Sequence, residues 1–389
     1  MRKLTNRATT RMLVPAGAIV VLALMVLGTG VASACHPSSP SPPYTVLTTI
    51  PRVDAIAANS TMVFAQGEVN CSQIWAITAT GEVYVYATVP VPDSACDQGA
   101  LALGPNTTCA SSGGGGAPLP ASPVRDDGLS EGSGTGHGHG HHGCHPQGPG
   151  NVLYDVVAGG LYEISNGGSD VTLLATLSTV SQYAVEFGLT YDQVGTFQHD
   201  LIVTSDPGGK VWLYNCTEGT LTLLAAVHSR IGGPAVAPMS FGPYGGDVVI
   251  AAKTLGEVLA VAPDGTVTAV TNWSEANAVT FPSIGHHGDS CGTVCSFGPQ
   301  HFVLFVANYS SGAVEAFPAK DLRGFGGMGF VAGGLNQGIA GFTSGGNTQL
   351  FASETQRLSD ITSVVCFFPA HGCGHHGGGP CGGKGTWGH

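Results

Sequence analysis

From Tyr44 onward the chain alternates short apolar runs with turn residues, and no stretch sustains the spacing of an amphipathic helix. The runs are rich in Val, Ile, Leu, Thr and aromatic residues and are closed by Gly, Asn, Asp or Pro, which predicts short strands joined by tight turns. One run recurs, beginning small–apolar–small and often ending in an aromatic. It reads Ala55-Ile56-Ala57-Ala58-Asn59, Ala100-Leu101-Ala102-Leu103-Gly104, Gly188-Leu189-Thr190-Tyr191-Asp192, Pro238-Met239-Ser240-Phe241-Gly242, Ala278-Val279-Thr280-Phe281-Pro282 and Ile339-Ala340-Gly341-Phe342-Thr343. Each copy leads into a similar sequel. In one of them Asp247–Ala251 is followed by a glycine turn, Glu257–Val261, the turn Pro263-Asp264-Gly265 and Thr266–Val270.

Four strands per unit at a spacing of roughly 40 to 50 residues is the signature of a propeller blade. The pattern therefore predicts an all-β, six-bladed β-propeller of four-stranded antiparallel blades. Two stacked sheets would leave six similar units unexplained. The last unit, with Gln349–Ser353 and Ser363–Phe367, lacks an outer strand, and a spare strand stands ahead of the first unit at Tyr44–Ile50. The expectation is that this N-terminal strand joins the final meander near Ser363–Phe367 and closes the ring, which removes an exposed sheet edge. The propeller domain spans 44–369.

Two insertions break the period. Residues 105–150, within the second unit, are rich in Gly, Pro and His and are expected to form a disordered loop, as is the Gly/His/Cys-rich tail 370–389. A shorter insertion near 283–299 carries His286, His287, Cys291 and Cys295.

Composition adds the compartment. Residues 1–34 have the form of an export signal: Arg2, Lys3, Arg7 and Arg11, an apolar run from Met12 to Leu27, and Ala32-Ser33-Ala34 before Cys35. Cys35 is a candidate for lipidation, which would be the chain's one attachment to a membrane. Without the leader, nine basic residues face 25 acidic ones, a net charge of −16. A surface of that sign argues against nucleic acid and favours cations as partners. Eleven cysteines in an exported chain point to disulfides, and the odd number leaves one for another fate. Cys109 and Cys144 bracket most of the long insertion and are placed to staple its base; Cys291 with Cys295 and Cys373 with Cys381 are candidate local pairs. The location expected is extracellular or at the cell surface.

The repeats resemble those of NHL-repeat, gluconolactonase-like and streptogramin-lyase-like propellers, in stretches such as Gly256-Glu257-Val258 to Asp264-Gly265-Thr266-Val267 and Leu304–Tyr309. The resemblance implies a central channel, in which lactonases of this group hold a divalent cation with carboxylate and amide side chains. Here Asp54, Gln98, Glu186, Asn277 and Gln337 stand at strand starts, and the likeness does not extend to the full ligand set. Asp54, Glu186 and Asn277 are the channel candidates, as hard oxygen ligands for calcium or as an activator of water. The plainer alternative is that they satisfy backbone groups and water at strand ends.

A second chemistry lies in the His/Cys clusters. His137, His139, His141, His142, Cys144 and His145 fall within nine residues, and the tail offers His371, Cys373, His375, His376 and Cys381. Imidazole and thiolate suit Zn, Cu or Ni, although the spacings match no structural zinc pattern. No nucleophile elbow, zinc-protease helix or phosphate loop is present, so no catalytic residue is nominated. The function expected is a secreted or surface-attached, non-catalytic binding propeller. The alternatives are a divalent-cation-dependent lactone hydrolase or lyase working in the channel, and a structural component of a cell-surface layer or filament.

Overall fold

The computed structural model describes residues 44–91, 96, 98–105, 109, 152–177, 186–206, 208–282, 296–335, 337–354 and 356–365. The proposed signal peptide, Cys35, both His/Cys clusters, nearly all of the long insertion and most of the short one lie outside the described residues. Among those described, no helix is long and apolar enough to cross a membrane.

Twenty-four strands run through the described residues. The first five are β1 (Thr45–Thr49), β2 (Val53–Asn59), β3 (Met62–Gly67), β4 (Gln73–Thr78) and β5 (Val83–Thr88). β6 (Ala100–Gly104), β7 (Val152–Val157), β8 (Gly160–Ser165) and β9 (Asp170–Thr176) form the next meander. β10 (Phe187–Tyr191), β11 (Leu201–Ser205), β12 (Lys210–Asn215) and β13 (Thr220–Ala226) form another. A third comprises β14 (Ala235–Val236), β15 (Val248–Ala252), β16 (Glu257–Val261) and β17 (Val267–Asn272). The remainder are β18 (Ala276–Thr280), β19 (Phe302–Asn308), β20 (Ala313–Pro318), β21 (Gly329–Gly333), β22 (Ile339–Phe342), β23 (Thr348–Ala352) and β24 (Leu358–Val365).

The pairing departs from the expected six separate sheets. Four sheets are four-stranded and antiparallel: the three consecutive meanders and β18-β21-β22-β23. The other eight strands make one sheet in the order β1-β20-β19-β24-β2-β3-β4-β5. Its single parallel step joins β2 to β24 through Ala58↔Val364 and Asn59↔Val365. β19 and β20 leave the chain between β18 and β21 to build this sheet with β24, a crossover that reading strands in sequence order does not anticipate.

Three further expectations are corrected. The N-terminal strand does not lie against residues 363–367; β1 pairs with β20, from Thr45↔Ala316 to Thr49↔Ala313. Ile339–Phe342 is not a first strand but the third of its sheet, because a strand buried on both faces has the same composition wherever it sits. Pro238–Gly242 forms a turn, and the short β14 precedes it.

The core lies between neighbouring sheets, as the two-residue alternation of a strand requires. On β2, Ile56 and Ala58 pack toward Phe305 and Ala307 of β19, whereas Ala55 and Ala57 pack toward Leu101 and Leu103 of β6. Phe241, Phe281 and Phe342 meet edge to face with centroids 4.9–5.8 Å apart. Each such contact contributes about 1 kcal/mol beyond area burial. Sheets also meet through hairpin turns. Gly168 (φ +93°) rests on the Tyr86 carbonyl of β5 and Gly265 (φ +83°) on the Leu224 carbonyl of β13, leaving no room for a Cβ at either turn.

Candidate functional site

The strands β2, β6, β10, β14, β18 and β24 stand side by side around one channel of about 300 Å³. Parallel bridges Gln98↔Glu186 and Gly233↔Ala278, with the β2–β24 step, fix their common direction. Small residues such as Ala57, Ala102, Gly188 and Gly233 let the six backbones approach this closely. One end of the channel gathers Tyr191, Val194, Pro238 and Phe281; the other, where the strands begin, gathers Asp54, Gln98, Glu186 and Asp360.

The polar side chains at that mouth chiefly hold one strand to the next. Asp360 of β24 accepts the Ile56 amide of β2 (3.0 Å) on Oδ2 and its own neighbour's amide, Ile361 (2.8 Å), on Oδ1. Asp54 of β2 accepts the Gly99 amide beside β6 (3.2 Å) on Oδ2. Asn277 of β18 donates through Nδ2 to the Leu358 and Ser359 carbonyls of β24 (2.6 and 2.8 Å). Asn277 thus clamps strands, while Asp54 and Glu186 line the channel. Gln337 lies away from it, after β21. Among the described residues no group of three or more His, Cys, Asp or Glu is placed to hold a metal ion.

Glu186 is met by two cations that the sequence did not single out. Lys253 Nζ contacts Oε1, and Arg230 Nη2 lies 3.6 Å from Oε2 while its Nε bonds Asp206 at 2.5 Å. On another side Gln98 Nε2 donates to Glu68 Oε1 (2.9 Å) and Tyr309 OH donates to Glu68 Oε2 (2.6 Å), with Arg52 Nη1 3.5 Å from the same oxygen. The Arg357 guanidinium lies over the Tyr309 ring, 4.8 Å from its centroid. Of the seven Lys and Arg residues described, Arg52, Arg230, Lys253 and Arg357 thus belong to networks around this mouth.

Burial dominates the electrostatics. It raises Asp54 well above the ordinary carboxylate range, with Glu68, Asp360 and Asp155 adding repulsion and the Gly99 amide opposing. It pushes Asp360 up to about 7 against the pull of two amides, and it lowers Lys253 against the attraction of Glu186. Behind the mouth, Asp155 of β7 is fully buried and rises to about 8. Its Oδ2 accepts from Gln66 Nε2 at 3.1 Å. Asp54 Oδ1 and Asp155 Oδ1 are each buried with no hydrogen-bond partner.

Asp360 was invisible in the sequence because β24, with its Leu-Ser-Asp-Ile-Thr-Ser run, does not read as a first strand; its signal is an acid opening a strand, as at Asp54 and Glu186. Cys109 is corrected too. It is bonded to Cys216 after β12, not to Cys144, and a second disulfide joins Cys71 to Cys96.

This architecture is that of a β-propeller-like, all-β protein, and gluconolactonase-like and streptogramin-lyase propellers are among the solved structures it matches. A propeller in a nidogen/laminin complex matches with a TM-score of 0.46 and 9% identity over 80% of this chain and 85% of that one. A putative gluconolactonase gives 0.43 and 10% over 83% and 84%, and virginiamycin B lyase from Staphylococcus aureus 0.40 and 10% over 79% and 72%. No family model and no curated protein matches the sequence. At such scores and identities the likeness says nothing of activity, ligand or partner.

Proposed function

We propose that the protein is an exported, non-catalytic propeller that binds a small polar molecule at the acidic mouth of its channel. The observation that carries this reading is Asp54, a channel-lining acid whose Oδ1 is buried with no hydrogen-bond partner. A buried polar group without a partner costs about 1–3 kcal/mol, a debt that a bound ligand removes. Of the other acids at the mouth, Asp360 is held by two amides and Glu186 lies against two cations. The eight-stranded sheet is read as two blades joined at the parallel step, with β1 supplying the outer strand of one, so that six blades surround the channel. The two disulfides and the leader-like residues 1–34 support export. The His/Cys-rich segments are proposed as appendages for Zn, Cu or Ni.

The test is thermal-shift screening of the mature chain against small polar molecules, lactones included, beside a Thr362→Trp variant that fills the channel. At least one compound should raise the wild-type Tm by more than about 2 °C and leave the variant unmoved. Should none do so, the channel is not a binding site; turnover of a lactone would replace binding by hydrolysis.

A second reading, as a component of a surface layer, is favoured by the rim. The outermost strands β1, β5, β9, β13, β17 and β23 carry Asp170 as their one charged residue and display Val46, Val83, Tyr84, Val85, Leu173, Leu223, Val267 and Leu350 to solvent. Soluble proteins usually guard such edges with charge. Lateral arrays in particle images, dispersed by Leu173→Lys with Leu223→Lys, are the expected result; wild-type monomers at high concentration would remove this reading.

A further inference from the structure

We propose that the channel mouth accepts a small zwitterion, its ammonium group at Asp54 and its carboxylate at Arg357. The inference rests on the reading of the mouth as a binding site and names the chemistry of what enters. Two groups there are unspent. Asp54 lines the channel, and its Oδ1 is buried with no hydrogen-bond partner. Arg357 has no carboxylate partner among the described residues, whereas Arg52 and Lys253 each have one and Arg230 has two.

The Arg357 guanidinium lies over the Tyr309 ring, whose hydroxyl is fixed by Glu68, and Glu68 in turn holds the channel-lining Gln98. This chain of contacts ties the cation to the channel wall and leaves its planar donor edge for a carboxylate. A lone anion would have to enter among Asp54, Glu186 and Asp360, and a lone cation would leave Arg357 unused. Only a ligand carrying both charges satisfies both groups, and a matching cation offsets the cost of the buried charge at Asp54.

The proton balance follows. In the unliganded protein Asp54 holds its proton above the ordinary carboxylate range, because of burial and of Glu68, Asp360 and Asp155 nearby. The Gly99 amide works against this, and Lys253 and Arg230 are spent on Glu186 and Asp206. An arriving ammonium favours the carboxylate, so binding expels a proton from Asp54 to the buffer.

The experiment is calorimetry of the mature protein at pH 5, 6 and 7 with glycine, β-alanine, 4-aminobutyrate, ethylamine and propionate, in two buffers of different ionisation heat at each pH. At least one zwitterion should bind tenfold or more tightly than ethylamine or propionate and release a proton. Arg357→Gln, at a half-exposed position, should bring that zwitterion down to the level of ethylamine and leave ethylamine unchanged; Asp54→Asn should weaken both. Equal binding of ethylamine and the zwitterions, or an Arg357→Gln variant that binds like wild type, overturns the proposal. If the thermal-shift screen finds a neutral ligand that Thr362→Trp abolishes while no zwitterion binds, this inference fails and the channel reading stands.

Discussion

The protein is expected to be markedly more stable at pH 5 than at pH 8.5. Burial pushes Asp155 up to about 8 and Asp360 and Glu315 up to about 7 in the folded chain, and it raises Asp54 as well. In the unfolded chain these groups return to about 4. Between the two values the folded state holds protons that the unfolded state has released, so unfolding gains as pH rises. Their contribution is complete below about pH 4 and is lost as pH climbs through 7 and 8. Each unit of displacement is about 1.4 kcal/mol, so Asp155 alone represents up to about 6 kcal/mol. Relaxation and water entry reduce such sums, and a fall of roughly 3–5 kcal/mol between pH 5 and 8.5 is the expected scale, or about 5–10 °C in Tm.

Asp155 should dominate, because its surroundings are built for the neutral acid. Gln66 Nε2 donates to Asp155 Oδ2, while Gln66 Oε1 and Asp155 Oδ1 are both buried without partners. A proton on Asp155 Oδ1 supplies the donor that this pair lacks. Asn at position 155 carries an equivalent donor at every pH. Asp155→Asn should therefore match wild type within about 1 kcal/mol at pH 5 and exceed it above pH 8, flattening the profile. The net negative charge of the chain also destabilises it as pH rises, but one neutralised residue among 25 acids would barely alter that background. A wild-type Tm that climbs from pH 5 to 8.5, or an Asp155→Asn profile parallel to wild type, would show that Asp155 is ionised in the fold.

What could be read from the sequence follows from what strand patterns encode. β2, β6, β10 and β18 were legible because small residues bounded by turns mark strands that must pack close to others. β14 and β24 were not: the first is two residues long, and the second carries polar residues where the pattern expects apolar ones. Which strand pairs with which is a long-range property. The partnership of β1 with β20, more than 260 positions away along the chain, and the departure of β19 and β20 to join β24, leave no trace in local periodicity. The mouth divides the same way. Asp54 and Glu186 stand out as acids at strand starts, whereas Lys253, Arg230 and Arg357 reach it from elsewhere and carry no local signal.

Removing the Cys109–Cys216 bond should cost more than removing Cys71–Cys96. The first spans 107 residues and the second 25. Restricting the unfolded chain by closing such loops corresponds to about 5 and about 3.5 kcal/mol respectively. The longer bond also ends in a packed core: Cys109 is buried with Tyr154 and Tyr214, and Cys216 packs against the same cluster, so it fastens the sheet of β6–β9 to that of β10–β13. The Cys71–Cys96 bond ties the turn after β3 to the segment between β5 and β6, a much shorter loop. Paired Ser variants, Cys109→Ser with Cys216→Ser and Cys71→Ser with Cys96→Ser, should each lower Tm under oxidising conditions, by about 6–10 °C for the first and less for the second. Combining the two pairs of substitutions should then approach the sum of the two losses, since the bonds lie in separate clusters and their effects should add. Peptide mapping that finds Cys109 joined to another cysteine, or a first pair of substitutions that moves Tm by less than 1 °C, would mean that the two sheets are held together by packing alone.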